Sequence, residues 1–138
     1  MSRNKPAAIN TDHHRAVYEA FGYGPGAIAS GYFAYVSGQI GINADQTVPS
    51  DPKEQIELAY SNLTAVMSDL PGQPKPRDIV DITTFNTNMR EHFSVTSKAT
   101  ADFFGDWKPA WTALGVSELA VPGLVFEVRA IVRIPDQC

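Results

Sequence analysis

Cysteine is almost missing from this chain of 138 residues: a single one, Cys138, is the last residue. An internal disulfide framework is therefore excluded, and a cross-link through Cys138 in an oxidising buffer would be an artefact. Long apolar runs are missing too; none approaches the roughly 20 residues that span a bilayer. The opening Met1-Ser2-Arg3-Asn4-Lys5-Pro6 lacks an apolar core and a cleavage site, so secretion is not signalled and a cytoplasmic location is expected. Positive charge is scarce. The net charge is −4 and the basic residues are scattered, which leaves no electrostatic footprint for nucleic acid and no reason to expect a membrane partner.

Several chemical signatures fall short as well. Gly22-Tyr23-Gly24-Pro25-Gly26 has the glycines of a phosphate-binding loop but no following Lys-Ser/Thr. His13 and His14 beside Asp12 invite a metal reading, yet adjacent side chains diverge in regular structure and no further ligand is spaced nearby. His92, next to Glu91, is expected to face solvent. No Ser-His-Asp set can be assembled from the order of residues.

What is present has the length and apolar share of a single soluble domain, residues 1–138, with 1–12 expected as a loosely held polar arm. Ala16 to Phe21 reads as a short strand or a helical turn. Ala27 to Ser30 and Tyr32 to Ser37 read as strands flanking a turn at Gly31. Asp51, Pro52 and Glu54 form a helix start, with Ile56, Ala59, Tyr60, Leu63, Met67 and Leu70 as its apolar stripe and Pro71-Gly72 as its stop.

Ile79 to Phe85 is β-branched and reads as a strand. Asn88 is a candidate cap for a second helix, running to about Phe104 and ended by Gly105, with Phe93, Thr96, Thr100 and Phe103 or Phe104 on its buried side. Trp111 to Val116 and Leu124 to Ile134 complete the strands. In the last, Glu127, Arg129 and Arg133 alternate with Phe126, Val128, Ala130, Val132 and Ile134.

This order predicts an α+β fold: one mixed sheet with two helices on one face. The other face is neither plainly core nor plainly solvent: Tyr32, Ala34 and Val36 share one side of their strand and Phe33, Tyr35 and Ser37 the other, so both sides bear apolar groups. An apolar face left open marks an association surface.

Three segments carry a resemblance: Ala34-Tyr35-Val36-Ser37-Gly38-Gln39-Ile40-Gly41, Pro109-Ala110 ahead of an apolar strand, and Leu124 to Ile131. Together they resemble the RidA/YjgF family of small trimeric proteins, whose deaminase members hydrolyse reactive enamines and imines. The resemblance runs from Ala16 to Ile134. It implies a chorismate mutase-like fold, three sheets packed into a central barrel as a homotrimer, ligand clefts between subunits and no cofactor.

It also implies roles for particular residues. Glu127 matches the first glutamate of the family's Glu-Ile-Glu-Ala motif, which helps position the hydrolytic water; the other reading is an ion pair with Arg129 or Arg133. Tyr23, Ser37 and Gly38 match the cleft-lining tyrosine and the Ser-Gly pair whose backbone touches ligand, while Thr96 falls near an asparagine of the deaminases. The chain also departs from the pattern. Trp111 stands where the deaminases hold the substrate carboxylate with arginine, Ala113 where some carry cysteine, and Arg129 where the motif has its second glutamate. Trp111 is then either packing or a flat apolar wall for an uncharged or aromatic ligand. Arg129 is either a structural partner or a replacement cation.

Three functions compete: a deaminase-type enzyme, a small-molecule binding module without turnover, and an interaction protein acting through its oligomer surface. Some members of the family are described as translation inhibitors or ribonucleases, for which the acidic balance here offers no support.

Overall fold

The computed structural model describes residues 7–21, 23–28 and 33–135. The turn expected at Gly31, Tyr32 and Cys138 lie outside them.

The longest helix begins as its sequence predicts. Asp51 accepts a hydrogen bond from the Glu54 amide at 3.2 Å, and Pro52 takes a first-turn position where its missing N–H loses nothing. Ile56, Ala59, Leu63 and Met67 then fall on one buried face of this helix, Pro52–Ser68. A second long helix, Met89–Phe104, stops at Gly105, whose φ of +62° suits glycine. Its start departs from expectation, because Asn88 makes no side-chain cap. Asn88 is left-handed, and its backbone carbonyl instead accepts from the amides of Glu91 and His92.

The Ala16–Phe21 segment resolves as helix. In chain order the elements are β1 (Ala7–Ala8), α1 (Arg15–Phe21), β2 (Gly26–Ile28), β3 (Phe33–Ile40), α2 (Pro52–Ser68), β4 (Ile79–Asn86), α3 (Met89–Phe104), β5 (Ala110–Gly115) and β6 (Phe126–Arg133), with one 3-10 turn before β4. Among the described residues there are therefore three helices where two were expected. No helix there is long and apolar enough to cross a membrane.

The strands form one mixed sheet in the order β1-β2-β3-β6-β4-β5. Only β4 and β5 run parallel, and α3 supplies the crossover that parallel neighbours require. β1 corrects the loose-arm expectation. It pairs with β2, and Ile9 behind it is buried in the core, so at least residues 7–9 of the arm are held by the fold.

The core lies between the sheet and the two long helices. Ala34, Val36, Phe126, Val128 and Val132 meet Ile56, Leu63 and Val66 there, with Tyr60 stacked on Phe103 at 4.5 Å. On the other face Phe33, Tyr35 and Leu114 are 40%, 39% and 43% exposed. That face is left open by this chain alone.

Candidate functional site

The site is built on an irregularity in β3. Val36 pairs with Ala130 and Gln39 with Val128, so Ser37 and Gly38 together stand opposite Arg129 alone. Such a bulge redirects side chains and interrupts pairing. Glu127 lies on the open sheet face, flanked in register by Ile40 of β3 and Phe85 of β4. Its carboxylate crosses directly over Gly38, and any side chain at position 38 would collide with it. Glycine here leaves room for that approach, since a larger residue would force the Glu127 side chain to move.

The loop before β2 closes the other side. Ser37 Oγ donates to the Gly24 carbonyl at 2.8 Å, and the Ser37 amide to the Pro25 carbonyl at 2.7 Å. These bonds pin the segment carrying Tyr23. The Tyr23 ring packs edge-on against Tyr18 at 5.3 Å, and the Tyr18 hydroxyl accepts from Gln39 Nε2 at 3.2 Å. Gln39 Nε2 also donates to the Ser37 carbonyl at 3.1 Å, which ties the tyrosine pair to the bulge.

The electrostatics follow from this packing. Burial pushes the Glu127 carboxyl above its ordinary value. Burial also raises the Tyr23 phenol, helped by Tyr18 and by the nearby Glu127 charge. Neither Glu127 nor Arg129 makes an ion pair among the described residues, and Arg133 is taken by Asp78 at 2.8 Å. The ion-pair reading of Glu127 therefore finds no partner among the described residues. What remains is a half-buried carboxyl beside a phenol and the half-buried Ser37-Gly38 bulge, a combination suited to proton transfer.

Tyr23, Ser37, Gly38 and Glu127 are thus brought together. Arg129 is exposed on the same face, in register with Thr83. Trp111 is elsewhere. It pairs with buried Ile82 across the parallel β4–β5 ladder, so its side chain points to the helix side of the sheet. Its indole Nε1 donates to Thr84 Oγ1 at 2.9 Å, and its ring stacks with Phe93 of α3 at 5.9 Å.

Beside Trp111 is a half-open hollow of about 210 Å³ with Ser97, Phe104, Trp107, Lys108 and Pro109 in its wall. Thr96 is not part of it. Thr96 is 1% exposed and its hydroxyl donates to Asn86 Oδ1 at 3.2 Å, inside the sheet–helix layer. Its neighbour Ser97 reaches the hollow because one step along a helix turns the side chain by about 100°. Sequence reasoning also missed Tyr18, Gln39 and Lys108. A glutamine directly after Ser37-Gly38, buried despite its polarity, was the available signal for the first two.

His13 and His14 are used in packing, and the side chain of His92, expected to face solvent, is only 16% exposed. His13 Nε2 is 2.9 Å from Asn62 Oδ1 of α2, and the His13 and His14 rings meet edge to face at 4.2 Å.

Comparison with known proteins matches residues 14–134 to the family described as endoribonuclease L-PSP. That span contains Tyr23, Ser37, Gly38, Thr96, Trp111, Glu127 and Arg129. The chain belongs to this family, the RidA/YjgF proteins.

Within the RidA/YjgF family, the chain is 38% identical over 112 residues to the RutC family protein YjgH of Escherichia coli strain K12, covering 80% of this chain and 82% of that protein. It is 30% identical over 110 residues to a 2-iminobutanoate/2-iminopropanoate deaminase of Dermatophagoides farinae, covering 78% and 83%. A solved structure of protein YjgH superimposes with a TM-score of 0.81 over 99% of this chain and 100% of that one, at 31% identity. The Rid-family protein YyfA of Yersinia pestis gives 0.78 over 94% and 100%, at 27% identity. The mixed sheet with helices on one face is therefore that of the RidA/YjgF fold.

Proposed function

We propose that this protein is a cytoplasmic homotrimer that binds a small metabolite in clefts between subunits and hydrolyses a C=N bond there. The observation that carries the reading is Glu127: a half-buried carboxyl, raised above its ordinary value, without an ion-pair partner among the described residues, over the Ser37-Gly38 bulge.

Deamination of an imine needs one group that first takes a proton and then gives it back. As carboxylate, Glu127 accepts a proton from water while the water oxygen attacks the imine carbon. The C=N π bond becomes a lone pair on nitrogen, protonated Glu127 gives its proton to that nitrogen, and the neutral carbinolamine forms. The Glu127 carboxylate then takes the carbinolamine O–H proton and passes it to the amine nitrogen as the C–N bond breaks, so the carbonyl forms, ammonia leaves and the carboxylate is restored. An enamine substrate is first protonated on carbon by the acid form. A carboxyl raised towards neutrality serves both directions. The Tyr23 phenol and the backbone of Gly38 supply hydrogen bonds to hold substrate, while Ser37, whose amide is bound to Pro25, fixes the bulge beneath it.

The intersubunit placement rests on geometry. Glu127 and Trp111 project from opposite faces of one sheet, so a single cleft that uses both draws them from two chains. The exposed Phe33, Tyr35 and Leu114 on the open face support such association.

Trp111 redirects the substrate. Its N–H is bound to Thr84 and its ring has no charge, so it does not clamp a carboxylate as the deaminases' arginine does. A bulkier or aromatic imine suits it better than a small 2-iminocarboxylate. That same closed-off indole favours a second reading, a binding module without turnover. Ammonia release from freshly generated 2-aminoacrylate and from aromatic imines separates the two. Turnover of the aromatic imines supports the enzyme, and saturable binding without ammonia supports the module.

A further inference from the structure

The hollow beside Trp111 is walled largely by aromatic side chains. Both tryptophans of the chain, Trp107 and Trp111, lie in its wall. Each indole N–H is already committed inward, Trp107 Nε1 to the Ile79 carbonyl at 2.8 Å and Trp111 Nε1 to Thr84 Oγ1 at 2.9 Å. The tryptophans therefore offer the hollow ring carbon and π surface rather than donors. Phe104 and Pro109 add further apolar wall.

Two polar groups stand out there, the Ser97 hydroxyl and the Lys108 ammonium. Neither makes a side-chain hydrogen bond or ion pair among the described residues, whereas the Thr100 hydroxyl in the same wall is bound to Tyr60 at 2.7 Å. The described lining holds this one cation and no acid, in a chain whose net charge is −4. A local positive charge at the rim of an aromatic hollow selects both sign and shape.

We infer that this hollow binds a planar, single-ring aromatic acid, its ring against Trp107 and Trp111 and its carboxylate on Lys108, with Ser97 as a second donor. Size fits the assignment: about 210 Å³ exceeds the roughly 150 Å³ of a cavity that takes benzene and leaves room for a carboxylate. The flat ring gains from stacking on indole, and the ammonium makes a charge-assisted bond to the acid. The inference rests on the proposed function in so far as Trp111 is a wall of that cleft, and it names the substrate class: the carboxylate is held from Lys108, not from position 111.

Because both tryptophans line the hollow, tryptophan emission reports its occupancy directly. The full-length protein is titrated with benzoate, benzamide and propionate, and the same is done with Lys108→Gln. Lys108 is exposed, so the variant keeps its fold. Benzoate is expected to change the emission saturably, with benzamide and propionate each weaker by about tenfold or more. Lys108→Gln is expected to lose about tenfold for benzoate and to bind benzoate and benzamide alike. The inference is overturned if benzoate gives no saturable change, if benzamide or propionate equals it, or if Lys108→Gln binds it as the wild type does. Benzoate binding to Lys108 without imine turnover would sink the enzyme reading alone; turnover without benzoate binding would sink this inference alone.

Discussion

On the helix side of the sheet, Ala34, Val36, Val128 and Val132 are sealed, and the polar groups among them have partners: Thr84 with Trp111, Asn86 with Thr96, Thr100 with Tyr60. On the other side Phe33, Tyr35 and Leu114 stand in the open on the face of a half-buried Glu127 that has no ion-pair partner among the described residues. Both faces come from the same strands, one residue out of step. The first is finished by this chain, and its apolar contacts carry the stability. The second is unfinished, and an unfinished face with a raised carboxyl is where association and chemistry are expected.

The largest effect comes from opening the finished face. Phe126 is fully buried and touches the Tyr60 ring, 5.6 Å away between centroids, so Phe126→Ala is expected to lose about 3–5 kcal/mol in urea unfolding. A loss under about 1 kcal/mol would show that this layer is not the core. Charge on the unfinished face is expected to act on association instead. Light scattering should give a trimer mass for the wild type at micromolar concentration and a smaller mass for Tyr35→Glu, with secondary structure kept. A monomeric wild type would remove the intersubunit cleft.

Trp111→Arg sharpens the contrast at the sheet edge. The change loses the bond to Thr84 and the stack on Phe93. Because the indole is only partly buried, the cost is expected to stay below the roughly 3–5 kcal/mol of a full core aromatic. The folded variant is expected to gain turnover of 2-iminopropionate that the wild type lacks, since a guanidinium binds the small carboxylate in two places. A wild type as fast as an authentic deaminase would show that Trp111 is no barrier.

The smallest effect is on pH. The Glu127 carboxyl is raised in the folded state, so in the window between its unfolded and folded values the native protein holds more protons than the unfolded chain. Stability therefore falls as pH rises through that window. Glu127→Gln is expected to flatten this fall in a series of melting curves; an unchanged slope would assign the pH dependence elsewhere.

Much of the finished face was legible in the sequence because it obeys local rules. Asp51-Pro52 and the stripe from Ile56 to Met67 specify α2, and the alternation in β6 puts Glu127 opposite Phe126 and Val128. Less of what depends on distant pairing could be read. Ala7–Ala8 has no strand pattern of its own and becomes β1 only beside β2. Asn88 looks like a side-chain cap but is held left-handed, so its backbone does the work. Thr96 and Ser97 differ by one helical step, and which of them meets the hollow depends on how α3 sits on the sheet. That Trp111 and Glu127 face opposite ways follows from the parallel β4–β5 register, which no local pattern encodes.

The rate of ammonia release by Glu127→Gln, compared with wild type on the imine the wild type turns over best, tests the central claim most directly. The substitution keeps the shape over Gly38 and removes the proton carrier. The expected result is a loss of about 10²–10⁴-fold with a melting temperature at neutral pH equal to or above that of the wild type. Undiminished turnover, or a sharp fall in melting temperature with ligand binding intact, would contradict it and make Glu127 a structural residue.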